Sequence, residues 1–281
     1  MAARKRTIKN NNLPIINHNT NSNPSPPPVE LGIGKLRIKF ANIIFNINAK
    51  PDMIDIKIGK TFDNYCAKLR LHKVSSKIIH IETFTFDEEY LVKERTNTNK
   101  QARKGTTVLM DAIKRFVAIY MPYVSTITLT DASKILCSPK IHTKRNNLYK
   151  NLGINTYDYY LCKYNSSYYE HNYGFQLVDP KMIEIHQKNI EIINELRFSD
   201  RFISEFREYL MSTKPEYFNS DKFDMFAASI KPGELVKDYV KTVRITDDNC
   251  KLIIGMFDFF RSVIPEFRFP LGAIYMFVIP K

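Results

Sequence analysis

No run of eighteen apolar residues occurs anywhere in the 281-residue chain. A helix needs about twenty such residues to cross a bilayer, so no membrane span is expected. The longest apolar stretches, around Ile253–Phe260 and Ala273–Ile279, are short and broken by charge or proline. No secretory signal is expected either. Met1-Ala2-Ala3-Arg4-Lys5-Arg6 is basic, but Asn10-Asn11-Asn12 stands where an apolar segment is required. Cysteine is scarce: Cys66, Cys137, Cys162 and Cys250 are all there are. None is spaced as CxxC or lies beside a His pair, which argues against a zinc site and against a disulfide framework. Free thiols in an intracellular, cytoplasmic compartment are the expectation. Motifs for other chemistries are missing too, with no G-x-S-x-G, no Walker loop and no HExxH. His80, His142 and His171 lack ligand spacing, so no metal is expected.

What the chain does carry is positive charge, a formal +13 with a pI near 9.4. Such an excess favours polyanions: nucleic acid, acidic proteins or phosphate-rich small ligands. Glycine is sparse while Asn, Lys, Ile and Tyr abound, the bias an AT-rich genome imposes, and this bias inflates lysine without functional demand.

Residues 1–34 read as a disordered basic tail, rich in Asn, Ser and Pro and ending in Asn23-Pro24-Ser25-Pro26-Pro27-Pro28. Its Arg4-Lys5-Arg6 cluster is a contact signal for nucleic acid or a solvated end. From Lys35 a period of two takes over. Leu36, Ile38 and Phe40 alternate with Lys or Arg, and the pattern recurs at Ile43–Ile47, Ile54–Ile58, Cys66–Leu71 and Ile79–Phe86. These are half-buried antiparallel strands. After Gly105 the period becomes helical: Val108, Leu109, Ala112, Ile113, Phe116, Val117 and Tyr120 share one face, and Pro122 ends the helix. Thr126–Thr130 is a strand, Tyr157–Tyr164 is strand or helix, and Gly174–Val178 is a short strand. Helices are expected over Met182–Leu196 and Arg201–Met211, from Pro232 as a first helical residue, and over Asn249–Val263. Leu271–Ile279 could return a strand to the sheet. The fold class is therefore α+β, a mixed, mostly antiparallel sheet with core helices. Residues 35–179 form an α/β core and 180–281 a helical C-terminal region packed on it.

The segment Gln101-Ala102-Arg103-Lys104-Gly105-Thr106-Thr107 enters the amphipathic helix from the strand before it. A helix N-terminus offers unpaired N–H groups to a pyrophosphate, with Arg103 and Lys104 adding charge and Thr106 and Thr107 adding hydroxyls. Here the order resembles the GNAT superfamily of acyl-CoA N-acyltransferases, whose Gln/Arg-x-x-Gly-x-Gly/Ala loop cradles CoA. Gln101 matches the first position, while Lys104 and Thr106 replace the two glycines and Gly105 lies between them. A second GNAT signature, a Tyr shortly before Gly-Phe, is approached twice: in Leu148-Tyr149-Lys150-Asn151-Leu152-Gly153-Ile154 and in Ser167-Tyr168-Tyr169-Glu170-His171-Asn172-Tyr173-Gly174-Phe175. The latter is similar to a variant in GNAT-like proteins of large DNA viruses. The resemblance covers about residues 78–178. It implies acetyl transfer from acetyl-CoA to an amine, with Tyr169, or alternatively Tyr149, as the acid that protonates the thiolate. Glu82, on the strand before the loop, is the base to consider, with Asp131 behind it. The substituted glycines equally fit a non-enzymatic binding or structural protein, such as a virion or viral-factory component, and the basic charge fits a protein associated with nucleic acid.

Overall fold

The computed structural model describes residues 15–18, 33–40, 43–63, 65–72, 77–84, 105–130, 134–137, 152–246, 248–268, 270 and 272–280. The fold is α+β. The chain divides into two compact units, Met1–Thr130 with Met276–Lys281, and Asp131–Tyr275.

In the first unit, β2 (Gly34–Phe40), β3 (Ile43–Ala49), β4 (Met53–Ile58), β5 (Ala67–His72) and β6 (Ile78–Phe84) form an antiparallel meander. The tight turn between β3 and β4 is closed by Lys50 N–H donating to Met53 O at 2.8 Å, with the reverse bond at 3.3 Å. Two parallel pairings flank the meander. β1 (Ile15–His18) runs alongside β2, and β7 (Thr126–Thr130) alongside β6. β1 departs from the expected tail: the β-branched pair Ile15-Ile16 gives that stretch strand propensity beside an open edge. The tail's Arg4-Lys5-Arg6 and its proline run lie outside the described residues.

Alternation puts Ile38, Phe40, Phe45, Ile56, Leu69, Ile79 and Ile127 on one buried face. Against it lies α1 (Gly105–Tyr120), which buries Leu109, Ile113, Phe116, Val117 and Tyr120. Phe116 stacks on Phe45 with centroids 4.0 Å apart and meets Phe40 edge-on at 6.1 Å. Fully burying such a ring contributes roughly 1.5–3 kcal/mol, so Phe116 is a main tie between helix and sheet. The opposite face carries the polar alternates. The end of β11 (Ile274–Val278) also belongs to this unit, and Ile279 N–H donates to Ser125 O at 2.9 Å.

The second unit opens with the hairpin of β8 (Lys134–Leu136) and β9 (Gly153–Asn155). Then come α2 (Thr156–Tyr164), α3 (Tyr168–Tyr173), the two-residue β10 (Gln176–Leu177), α4 (Pro180–Glu195), α5 (Asp200–Thr213), α6 (Ser220–Ser229), α7 (Val236–Thr242) and α8 (Cys250–Val263). The boundary placed at residue 179 by sequence thus meets a division at Thr130. The reason is shared burial: Ile154, Tyr157 and Leu161 pack in one core with Phe198, Phe206, Phe223 and Phe257. The Phe198/Phe202/Phe206 face is explained by this packing.

Two expectations are corrected here. Pro232 does not open a helix. Pro232-Gly233 occupy the middle of a β-turn, with Glu234 N–H donating to Lys231 O at 2.9 Å and Gly233 at φ +73°. The four thiols are not all free. Cys137 and Cys250 form a disulfide with Cα atoms 5.4 Å apart, leaving Cys66 and Cys162 free and buried. Their separation of 113 residues hid the pairing, which depends on the hairpin lying against the first residue of α8. Among the described residues no helix is long and apolar enough to cross a membrane.

Candidate functional site

The switch from antiparallel to parallel pairing occurs at β6 and β7, and α1 is the crossover between them. Only residues 121–125 link the end of α1 to β7, and Thr126 pairs with Ile78 at the start of β6. The helix therefore runs back against the two strands, and its N-terminus opens at their carboxyl ends. In open sheets that is where ligands bind. Gly105 begins the helix, Thr106 and Thr107 are half-buried in its first turn, and no acidic residue stands there. Among the described residues of that first turn no carboxylate faces the positive end of the helix dipole. Gln101, Arg103 and Lys104 lie outside the described residues.

Glu82, on β6 of the same unit, has both carboxylate oxygens engaged. Lys68 Nζ lies 2.5 Å from Oε2 and Arg70 Nη1 lies 2.5 Å from Oε1. Asp55 meets Arg70 Nε at 2.9 Å. The β-bulge between Lys68 and Leu69 brings the two cations onto one carboxylate. Glu82 is thus the centre of a cross-strand ion network, and neither oxygen points free toward an amine. Beside it, His80 Nδ1 is 3.0 Å from Thr128 Oγ1, and burial pushes its imidazole below the usual value while Glu82 pulls the other way.

Tyr169 belongs to the second unit. It is 5% exposed, with its ring against those of Tyr168, Tyr173 and Tyr275. The residues that made its segment look like a motif are accounted for by capping. Ser167 and Glu170 form a capping box at the start of α3, Gly174 closes it at φ +67°, and Phe175 N–H donates to Tyr169 O at 3.3 Å. The extra residue before Gly-Phe lengthens this helix. Tyr149, the alternative acid, lies outside the described residues, as does Asp131.

Sequence reasoning missed a buried polar cluster in the second unit. Tyr157, fully buried at 0% exposure, has its hydroxyl 3.0 Å from His186 Nδ1 and accepts from Asn189 Nδ2 at 3.0 Å. With Asn189 as donor to the Tyr157 oxygen, the Tyr157 proton is directed to His186 Nδ1, and Nε2–H faces Glu170 Oε2 at 3.4 Å. Asn189 also donates to Arg268 O at 2.6 Å and accepts from Arg268 N–H at 3.2 Å. Burial lowers the His186 pKa, with Glu170 opposing. The cluster is a hydrogen-bonded clamp on α2, α3, α4 and residue 268. His186, Asn189 and Ile193 share one buried stripe of α4, whose polar members hydrophobic periodicity could not flag.

Charge is divided unevenly. The first unit holds 22 Lys and Arg against 10 Asp and Glu, a net +12, while the second holds 20 against 19, a net +1. Among the described residues no group of His, Cys, Asp and Glu could hold a metal ion.

No protein-family profile and no solved structure matches the chain. Among curated proteins, it is 26% identical over 152 residues to the tRNA-guanine(15) transglycosylase of Methanococcus aeolicus. That likeness covers 46% of this chain and 23% of the relative's length.

Proposed function

We propose that the first unit holds the cofactor site of an N-acyltransferase of the acyl-CoA type. The observation that carries this reading is the parallel β6–α1–β7 crossover at the end of an antiparallel meander, with a helix N-terminus free of acidic residues at the strands' carboxyl ends. Backbone N–H groups at Gly105–Thr107, the two threonine hydroxyls and the unit's net charge suit a pyrophosphate. Acetyl-CoA supplies the acyl thioester. An amine attacks the carbonyl carbon, the C–N bond forms, the C–S bond breaks, and the amine's proton ends on the departing thiol. The protein's share is positioning and proton transfer. Glu82 is committed to Lys68 and Arg70, so the reading does not need it as base. Tyr169, or alternatively Tyr149, is the acid that the resemblance offers.

The test is release of CoA thiol, followed with a thiol-reactive dye, from acetyl-CoA and a panel of amines (spermidine, a Lys peptide, an N-terminal peptide). Turnover that falls at least tenfold in one of Tyr169→Phe and Tyr149→Phe and stays within twofold in the other is expected. Absence of turnover with every amine counts against transfer.

The uneven charge favours a second reading, association with nucleic acid. The partly similar relative acts, by its name, on tRNA.

A further inference from the structure

We infer that the polar face of the first unit's sheet is a binding surface for single-stranded RNA, an inference that rests on the second reading above and stands apart from acyl transfer. The face opposite α1 presents Lys35, Arg37 and Lys39 on β2, Lys57 on β4, and Lys68 and Arg70 on β5, against the two acids Asp55 and Glu82. Successive cations on β2 stand about 7 Å apart, two residues of rise. The register carries the row across the sheet. Arg37 is opposite Asn46, Asn46 opposite Lys57, and Lys57 opposite Lys68.

Two lysines directly opposite each other repel, and a sheet built for stability alone avoids this pairing. Glu82 reaches Lys68, whereas the Lys57 ammonium is held by a neutral partner, the Phe62 carbonyl at 2.9 Å. The two acids are both taken up by Arg70 and Lys68 at one side, and among the described residues no carboxylate is paired opposite the β2 cations. A polyanion supplies the missing charge.

Two aromatic rings are interleaved with these cations. Phe62 lies under Lys35 Nζ at 5.6 Å, and Tyr65 under Lys57 Nζ at 4.7 Å. Both rings are half-buried, so part of each remains accessible. Cations that follow a backbone, set among rings that stack bases, are what single strands require. Duplexes hide their base faces, so the rings would add nothing there. The charge belongs to this unit and not to its neighbour, +12 against +1, which directs the polyanion here.

The experiment is fluorescence anisotropy of a fluorescein-labelled 20-nucleotide oligouridine RNA with the full chain, at 50 and 200 mM KCl. The face variant is Lys35→Glu with Lys39→Glu. A charge-matched control, Lys181→Glu with Lys188→Glu, changes two exposed lysines of α4. A third variant neutralises Arg4, Lys5 and Arg6 to Gln. All are compared by thermal melting to confirm equal folding. Expected are tight binding at 50 mM, at least tenfold weakening in the face variant, and less than twofold in the control. The salt slope should also drop by about 1.4, at about 0.7 per lost phosphate contact. No RNA binding by the natural chain overturns both this inference and the second reading. Binding that the face variant leaves unchanged, or that only the Arg4/Lys5/Arg6 variant abolishes, overturns the surface while keeping the reading. Equal affinity for a 20-base-pair DNA duplex overturns the single-strand assignment.

Discussion

Reducing the Cys137–Cys250 bond should destabilise the second unit strongly. The bond closes a loop across 113 residues, joining the end of the β8–β9 hairpin to the first residue of α8. Loop-closure entropy for that length is worth about 4.8 kcal/mol at 25 °C as an upper bound, and measured values for such bonds run about 2–5 kcal/mol. For a unit of this size each kcal/mol moves the melting temperature by roughly 2–4 °C, so reduction should lower it by about 5–20 °C. The bond is first established by alkylating the denatured protein with and without reductant. Two labels, on Cys66 and Cys162, are expected before reduction and four after. Melting is then followed by circular dichroism for the oxidised protein, the reduced protein and Cys137→Ser. A shift below 2 °C with reduction confirmed by mass would refute the entropic argument. Four labels without reductant would refute the bond itself.

Further outcomes follow from other contacts. Arg261 pairs with Asp158, which is nearly buried, and with Asp258 at 3.2 Å, so Arg261→Met strands a buried carboxylate and should cost about 3 kcal/mol in urea unfolding. His186 has its folded pKa lowered by burial. The unfolded chain therefore takes up the proton first, and the stability contributed is full above about pH 6.5 and falls as pH drops below it. His186→Gln should flatten the decline between pH 7 and pH 5, and an unchanged slope would contradict the assignment. Phe116→Ala should cost about 3–5 kcal/mol, because its ring stacks on Phe45 and meets Phe40. A Cβ on Gly255 would stand 2.6 Å from Leu210 Cδ2, so Gly255→Leu should cost about 1–3 kcal/mol in the same assay.

β2 to β7 were legible because each declares itself by alternation, unlike β1 within the expected tail: Leu36/Ile38/Phe40, Ile54/Ile56/Ile58 and Leu69/Leu71 all face the core or lie next to it. So was α1, whose Leu109, Ile113, Phe116 and Tyr120 repeat at helical spacing over a full 16 residues. The returning strand at Ile274–Val278 was also visible as a late apolar run. What escaped depends on contacts distant in sequence. The α6 helix, Ser220–Ser229, is short and starts from an Asn219 cap that looks like any polar loop residue. The Tyr157–His186–Asn189 clamp joins residues 29 and 32 positions apart through polar atoms, which no period reports. Of the proposed site, the helix start at Gly105 was readable from the change of period. The engagement of Glu82 was not, since it depends on a bulge that brings Lys68 and Arg70 together. The Ser167, Glu170 and Gly174 around Tyr169 serve a capping box and a left-handed cap, which use the same residue types as the resembled motif.

The acyl-CoA site is tested most directly by calorimetric titration of the full chain with acetyl-CoA, beside Gly105→Asp. An aspartate at a helix start favours the helix by about 0.3–1 kcal/mol while repelling phosphate, so loss of binding in that variant would not reflect loss of fold. The account predicts micromolar binding, about −8 kcal/mol, by the natural chain and none by Gly105→Asp. No heat of binding from the folded natural chain, or equal binding by both proteins, would contradict it.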